Sequence, residues 1–297
     1  MLKYALYLGC TIQAEQFGYE ASVREVLPRL GVELVDMPNT SCCGYPAFSS
    51  VSSQGWYYLS ARNMAIAEKM GLDMLPLCNG CYQSFVETKH VLSENSNMMN
   101  LIGAKLEKEN LEYRGTVKLT HIIELLYDII GTRKIGSIVV NPLENLTLAS
   151  HPGCHAIRPS SLEMPDDAEH PRKLDYLVEA LGADSMDYPE KTDCCGSMLA
   201  TAKGQTTLTI AAEKLRSISE LGIDGLVTTC PFCFQMYDGR QSEINDIIDF
   251  IFETDEGEIE VPVFYYTQLL GLAMGIEPVK LGLDLNKSPI DGILGRI

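Results

Sequence analysis

Five cysteines in one fixed order occur twice along the chain, and no other feature constrains the fold as much. The first set is Cys10, then Cys42-Cys43-Gly44, then Cys78-Asn79-Gly80-Cys81. The second is Cys154, then Cys194-Cys195-Gly196, then Cys230-Pro231-Phe232-Cys233. Thirty-four residues lie between Cys43 and Cys78, and thirty-four between Cys195 and Cys230. Thirty-one residues separate the lone cysteine from the pair in the first copy and thirty-nine in the second. All ten cysteines of the chain fall in these two patterns. A lone CxxC is weak evidence; two five-membered sets with a shared internal spacing point to a duplicated ligand site.

What such cysteines do depends on the compartment. No basic-then-apolar leader opens the sequence, and no apolar run approaches the roughly eighteen residues of a membrane span. The expectation is a cytoplasmic chain without a membrane span. There thiols stay reduced, and clustered cysteines bind metal or do redox work rather than build a disulfide framework. The formal charge of −17 argues against nucleic acid as a partner, which needs a basic stripe. It leaves a solvated surface, or a field that steers a basic partner protein.

Around the cysteines, strand-like and helical stretches alternate. Strands are expected over 3–8, 32–37, 72–77, 146–150, 183–188 and 225–229. Helices are expected over 14–30, 56–70, 174–181 and 207–221, each closed by a glycine (Gly31, Gly71, Gly182, Gly222). A further helix begins near Asn79 and carries Cys81, and residues 97–116 read as polar and helical. The run 117–131 reads as one apolar helix, and 261–275 aligns on it without gaps as another. His121 on the first of these reads as a core or capping residue. A linker falls around 136–145, and Pro159 to Pro171 is a loop that accounts for the longer spacing in the second copy. The fold class is therefore α/β: two pseudo-two-fold-related cysteine-rich repeats, 1–140 and 141–297, each a mainly parallel sheet with flanking helices. Every ligand candidate in the first repeat is expected at a strand end or helix start, where free N–H groups favour thiolates.

Zinc is the main competitor for these sites, since CxxC is a common half of a four-ligand zinc centre. Adjacent Cys-Cys side chains splay apart, which is awkward for one tetrahedral ion, and each copy offers five cysteines where four suffice. Iron–sulfur clusters fit better, because thiolates suit iron and sulfide and a cluster uses ligands spread over a wide site. The ferredoxin spacings CxxCxxC and Cx4CxxC are absent, and spacing alone leaves the cluster geometry open.

At this point the residues carry a family likeness. The doubled pattern resembles the duplicated cysteine-rich CCG domain and, among its owners, the B subunits of heterodisulfide reductase from methanogenesis. Met1–Cys10, His-Pro-Gly-Cys-His at 151–155 and Cys-Pro-Phe-Cys at 230–233 resemble those proteins, and the likeness runs nearly end to end. It implies two noncubane [4Fe-4S] clusters. One is held by Cys10, Cys42, Cys43, Cys78 and Cys81, the other by Cys154, Cys194, Cys195, Cys230 and Cys233, with one cysteine of each set able to bridge irons. It implies a catalytic disulfide oxidoreductase that reduces the coenzyme M–coenzyme B heterodisulfide, seated between the clusters, to two thiols. The implied partners are the ferredoxin-like C subunit of heterodisulfide reductase, which donates electrons, and its flavin-bearing A subunit, with a hydrogenase or formate dehydrogenase. In membrane-bound versions the partner carries haem. The same domain also serves in electron transfer in lactate or glycolate oxidation and in succinate or fumarate reductases.

Neither GxGxxG after a strand nor GxxxxGK[ST] is present, so no flavin or nucleotide is expected on this chain. The implied substrate is anionic while the chain is acidic, so a local basic pocket is needed. Candidates near the second set are His151, His155, Arg158 and Lys203, with Lys191 weaker.

Overall fold

The computed structural model describes residues 2–200, 202–252 and 258–297. In the first half, β1 (Leu2–Tyr7) is the middle strand of a parallel sheet between β2 (Val32–Asp36) and β3 (Asp73–Pro76). The last four residues of β1, Tyr4 to Tyr7, are all buried, as expected of a parallel strand covered on both faces. The connections are α1 (Thr11–Glu15), α2 (Phe17–Arg29) and α3 (Ser53–Met70). Helix α3 starts on Ser52, whose side chain accepts the Gly55 N–H, a standard N-cap. After β3 come α4 (Asn79–Glu94) and α5 (Ser96–Leu106). Two expected helices are shorter than the sequence pattern. The run 14–30 is α1 and α2, broken at Gln16, and the polar stretch 97–116 leaves helix after Glu109.

The run 117–130 is not one helix. Thr120 N–H donates to Met74 O, and Met74 N–H to Lys118 O, both at 2.9 Å. Leu119 thereby forms a parallel bridge to Met74 and extends the sheet. Helix begins only at α6 (Ile122–Glu124), passes into a wider π-helical turn at Leu125–Ile130, and is followed by α7 (Thr132–Gly136). The aligned run 261–275 departs the same way: β7 (Val263–Tyr265) precedes the helix. Val117, Thr120, Val263, Phe264 and Tyr265 are β-branched or aromatic and suit a sheet; read as periodicity alone, they pass for the start of the helix.

The second half repeats the plan. Strands β4 (Thr147–His151), β5 (Asp184–Met186), β6 (Gly225–Thr228) and β7 form a parallel sheet in the order β5-β4-β6-β7. This matches β2-β1-β3 plus the Leu119 bridge. The helices are α8 (Lys173–Glu179), α9 (Gly204–Glu220), α10 (Pro231–Tyr237), α11 (Gln241–Phe252) and α12 (Tyr266–Ala273).

The halves exchange contacts reciprocally. Helix α2 of the first packs on α12 of the second, while α8 of the second packs on the 125–130 turn of the first. Helix α4 packs on the turn Cys154–Ala156, while α10 packs on α1. Such exchange of equivalent surfaces is what a two-fold relation produces. The joint is apolar and fully buried at its centre: Tyr19, Val23 and Leu27 share one core with Leu269 and Leu270. It also carries polar pins, with Tyr19 OH donating to Thr229 O at 2.9 Å and Ser22 and Thr267 hydroxyls 2.7 Å apart.

Candidate metal centres

Each lone cysteine leaves the central strand through a glycine. Gly9 (φ 70°) precedes Cys10, and Gly153 (φ 81°) precedes Cys154. A Cβ on Gly9 would stand 3.1 Å from Cys81 Sγ. A Cβ on Gly153 would stand 2.5 Å from Asn79 Nδ2 and 3.6 Å from Cys233 Sγ. Glycine is therefore needed both for the backbone conformation and for the close approach of the lone cysteine to the CxxC turn. Cys78 and Cys230 are the extended N-caps of α4 and α10, and Cys81 and Cys233 follow one turn later. Cys42-Cys43 departs from the expected placement: it lies in a loop after β2, and Cys194-Cys195 lies likewise after β5, each held by side chains instead of by an element end. Ser60 Oγ donates to Cys43 O at 2.9 Å, and Thr207 Oγ1 to Gly196 O at 3.2 Å.

The sulfurs gather in the same way in both halves. Cys10 and Cys42 Sγ are 3.9 Å apart, and Cys154 and Cys194 Sγ 3.8 Å. Gly44 N–H donates to Cys42 Sγ, and Gly196 N–H to Cys194 Sγ, both at 3.3 Å. Thiol hydrogen bonds from Cys42 and Cys81 hold Cys43 well below an ordinary thiol. Those from Cys154 and Cys195 hold Cys194 down at about 2, and those from Cys233 and Cys78 hold Cys230 low. The donors move the other way: Cys195 rises to about 12, first because it donates to Cys194. Each set therefore combines thiolates with the neighbours that stabilise them, a soft anionic donor group.

Cys78 and Cys230 also lie close enough to shift each other, Cys78 up and Cys230 down. They are equivalent positions of the two repeats, and a residue that meets its own equivalent lies on the relating axis. The two sulfur sets thus meet at the centre of the molecule. One small cleft is walled by Cys10, Cys43, Cys78 and Cys81 with Tyr45. Another is walled by all five second-set cysteines with Asn79 and His155. Met198 and Phe232 border both. Among the described residues no three His, Cys, Asp or Glu side chains are placed to hold a single metal ion. Sulfur-rich walls without a carboxylate suit thiolate-seeking metals, iron and sulfide among them, and not oxygen-seeking cations.

Two links cross between the halves. Asn79, inside the first CxxC, donates from Nδ2 to Pro152 O at 2.7 Å, and its Oδ1 lies 3.0 Å from His121 Nε2. His121 also caps α6 by accepting the Ile123 N–H, the role expected of it. Asn79→Ala is expected to leave the Pro152 carbonyl and the His121 ring unpaired in a buried setting, at about 1–3 kcal/mol each. A fall in melting temperature of the loaded protein, larger than for a surface Asn→Ala control, checks this. The second link joins Tyr45 OH and His155 Nε2 at 2.9 Å; His155 Nδ1 lies 3.3 Å from Cys154 Sγ.

Of the basic residues singled out from sequence, the structure brings His155 alone to a cavity wall. His151 is fully buried and paired through Nδ1 with Lys214 Nζ at 3.0 Å. Arg158 donates to the carbonyls of Thr192 and Ala168, and Lys203 is exposed at the start of α9. Lys191 is buried between Asp175 and Asp187, at 2.6 and 2.7 Å. Tyr45, Met198, Phe232 and Lys214 escape sequence reasoning. Asn79 carried a signal, since it stands within the motif itself.

The cysteine-rich CCG domain model matches residues 4–85 and 148–238. The chain is 38% identical over 289 residues to the B subunit of the ferredoxin/F420H2-dependent CoB–CoM heterodisulfide reductase of Methanosarcina acetivorans, covering 96% of this chain and 94% of that one. It is 28% identical to the 8-methylmenaquinol:fumarate reductase membrane anchor subunit of Wolinella succinogenes, covering 96% of each. A hypothetical protein from Helicobacter pylori shares the fold, with a TM-score of 0.76 at 18% identity; the match covers 96% of this chain and about half (52%) of that one. Two complete cysteine sets, two matching domains and end-to-end likeness together show that the chain belongs to the duplicated cysteine-rich CCG family, among the heterodisulfide reductase B subunits.

Proposed function

We propose that this chain is the catalytic subunit of a heterodisulfide reductase, with repeats 1–140 and 141–297 each holding one noncubane [4Fe-4S] cluster on its five cysteines. The observation that carries the reading is the adjacency of the two sulfur sets, whose walls share Met198 and Phe232. A disulfide needs two electrons, and a substrate lying on the axis is open to both sites at once. When bound, the clusters supply single electrons and a soft site for each sulfur.

The chain's own residues supply the surroundings. Met198 and Phe232 form an apolar partition between the two spaces and keep water from the sulfur atoms. His155 and Tyr45 present a ring nitrogen and a hydroxyl beside them, placed to hand a proton to a leaving thiolate. His155 is the one basic residue on either cavity wall among the described residues. The anionic ends of the coenzyme M–coenzyme B heterodisulfide accordingly extend outward, where exposed Lys203 and, less freely, Arg158 remain as contacts. His151, turned into the interior toward Lys214, is not among these contacts. No helix among the described residues is long and apolar enough to cross a membrane. That accords with electrons arriving from a ferredoxin-like C subunit and a flavin-bearing A subunit, fed by a hydrogenase or formate dehydrogenase.

The test is thiol release from the heterodisulfide by the anaerobically purified complex with a reduced dye as donor. Turnover supports the reading, and its absence in iron-loaded complex contradicts it. A second reading, a CCG electron-transfer subunit of a lactate, glycolate, succinate or fumarate system, is favoured by the likeness to the Wolinella protein. Quinone or fumarate turnover in place of heterodisulfide turnover would select it.

A further inference from the structure

Aligning the repeats by their cysteines, a shift of 144 residues from Cys10 to Cys154 and of 152 from Cys43 and Cys78 to Cys195 and Cys230, sets equivalent side chains side by side. Behind the first sulfur set, the Tyr7 and Phe85 rings meet edge-on, with centroids 4.9 Å apart at 81°. Behind the second, His151 and Tyr237 meet in the same way, at 5.4 Å and 88°. In the first half the carbonyl preceding the cysteine pair, Ser41 O, receives Tyr7 OH at 2.7 Å and Asn63 Nδ2 at 3.0 Å. In the second, Asp193 O receives Lys214 Nζ at 2.9 Å, and that ammonium also donates to His151 Nδ1. One architecture is therefore finished in two chemistries. The first set is backed by neutral groups, the second by a lysine. Arg62, in register with Lys214, is engaged elsewhere, with Glu109 and with Asn39 O.

Lys214 is fully buried. Its partners are a neutral imidazole nitrogen and a carbonyl, and among the described residues no carboxylate stands in ion-pair range. Lys191, the other buried lysine, has two. A charge taken out of water without an opposite charge is costly. Burial pulls Lys214 down to about 8, while the second-set sulfurs Cys233, Cys195 and Cys194, together with Asp193, favour its charged form. The ammonium lies near the Tyr188 and Tyr237 rings, at 5.7 and 5.8 Å from their centroids. His151 Nε2 and Tyr237 OH are buried beside the same sulfurs without a hydrogen-bond partner, two further donors facing an anionic neighbourhood.

We infer that Lys214 is a built-in counter-charge to the second sulfur set, so that the second centre accepts an electron in preference to the first. This deepens the proposed function and rests on its reading that each set holds an iron–sulfur cluster. A fixed positive charge in a low-dielectric interior stabilises the more negative, reduced form of a nearby centre. The first centre, backed by Tyr7, Phe85 and Asn63, lacks that stabilisation. The two centres are then inequivalent despite identical ligands. An electron delivered by the donor protein settles on the side where His155 also stands.

The experiment is a redox titration of the assembled complex followed by electron paramagnetic resonance. Cys10→Ser and Cys154→Ser assign each signal to its half. The wild type should show two midpoint potentials, the higher one perturbed by Cys154→Ser. Lys214→Gln, which keeps a donor for Asp193 O but removes the charge, should move electron sharing toward the first centre by at least about tenfold, or about 59 mV for one electron. Lys214→Arg should restore most of it. Equal potentials, the reverse order, or an unmoved potential in iron-replete Lys214→Gln overturns the inference. If Lys214→Gln loses its iron, the wild-type order decides. Iron content separates the two failures: a wild-type complex without two clusters contradicts the function itself, and a fully loaded one with the wrong order contradicts the role of Lys214 alone.

Discussion

Cys43→Ser or Cys195→Ser is expected to lower heterodisulfide turnover by more than about 100-fold. Outer-shell partners of metal ligands alone cost about 10–100-fold when removed, and these two are proposed as ligands themselves. Cys43 is held low by both Cys42 and Cys81, and Cys195 is shifted by both Cys194 and Cys233. Each therefore ties the adjacent pair to the CxxC turn. A serine oxygen is a harder and more basic ligand than a thiolate and suits iron–sulfur chemistry poorly. Because each half has its own sheet, the damaged centre should be lost without the other, and iron should fall to about half. Because the disulfide needs two electrons, either loss should stop turnover. Iron analysis and thiol release on the same preparations check both statements. Near-normal turnover with half the iron would leave one site without a catalytic part.

His155→Ala is expected to reduce turnover by about 10²–10⁴-fold, the usual contribution of a positioned general acid, while iron content stays at the wild-type level. The ring lies on the wall of the second cavity and is held by Tyr45 from the other half at 2.9 Å. Burial lowers its basicity, which makes its protonated form a stronger acid toward a leaving thiolate. Tyr45→Phe removes the brace but leaves the ring, and should cost less. A loss confined to kcat separates proton delivery from a weakened substrate grip, which would appear in KM. A parallel loss of iron would assign His155 to holding the centre together.

The cysteine spacing made the larger outline legible. Two equal intervals of thirty-four residues announced a duplication, and the strand orders β2-β1-β3 and β5-β4-β6-β7 repeat it in space. The glycines expected to close helices, Gly31, Gly71, Gly182 and Gly222, were equally readable, because a left-handed residue leaves few alternatives. What escaped depended on packing between distant segments. Val117 to Thr120 reads as the start of a helix until Met74 offers it a strand edge. His151 stands three residues from Cys154 and reads as a pocket residue, yet the end of β4 turns it into the interior against Tyr237. Lys214 lies on a helix with ordinary polar content, where a lysine reads as solvent-facing. Its burial comes from β4 and the 188–195 loop closing over it, which no local pattern encodes. Counting the interval between Cys78 and Cys81 passes over Asn79, which links the halves.

The most direct measurement is the iron, sulfide and zinc content of the protein purified without oxygen. The account predicts about eight irons, matching sulfide and no zinc, two four-iron clusters per chain. About four irons with one zinc would leave one redox half and one structural half and end the two-centre account, and zinc alone would contradict it altogether.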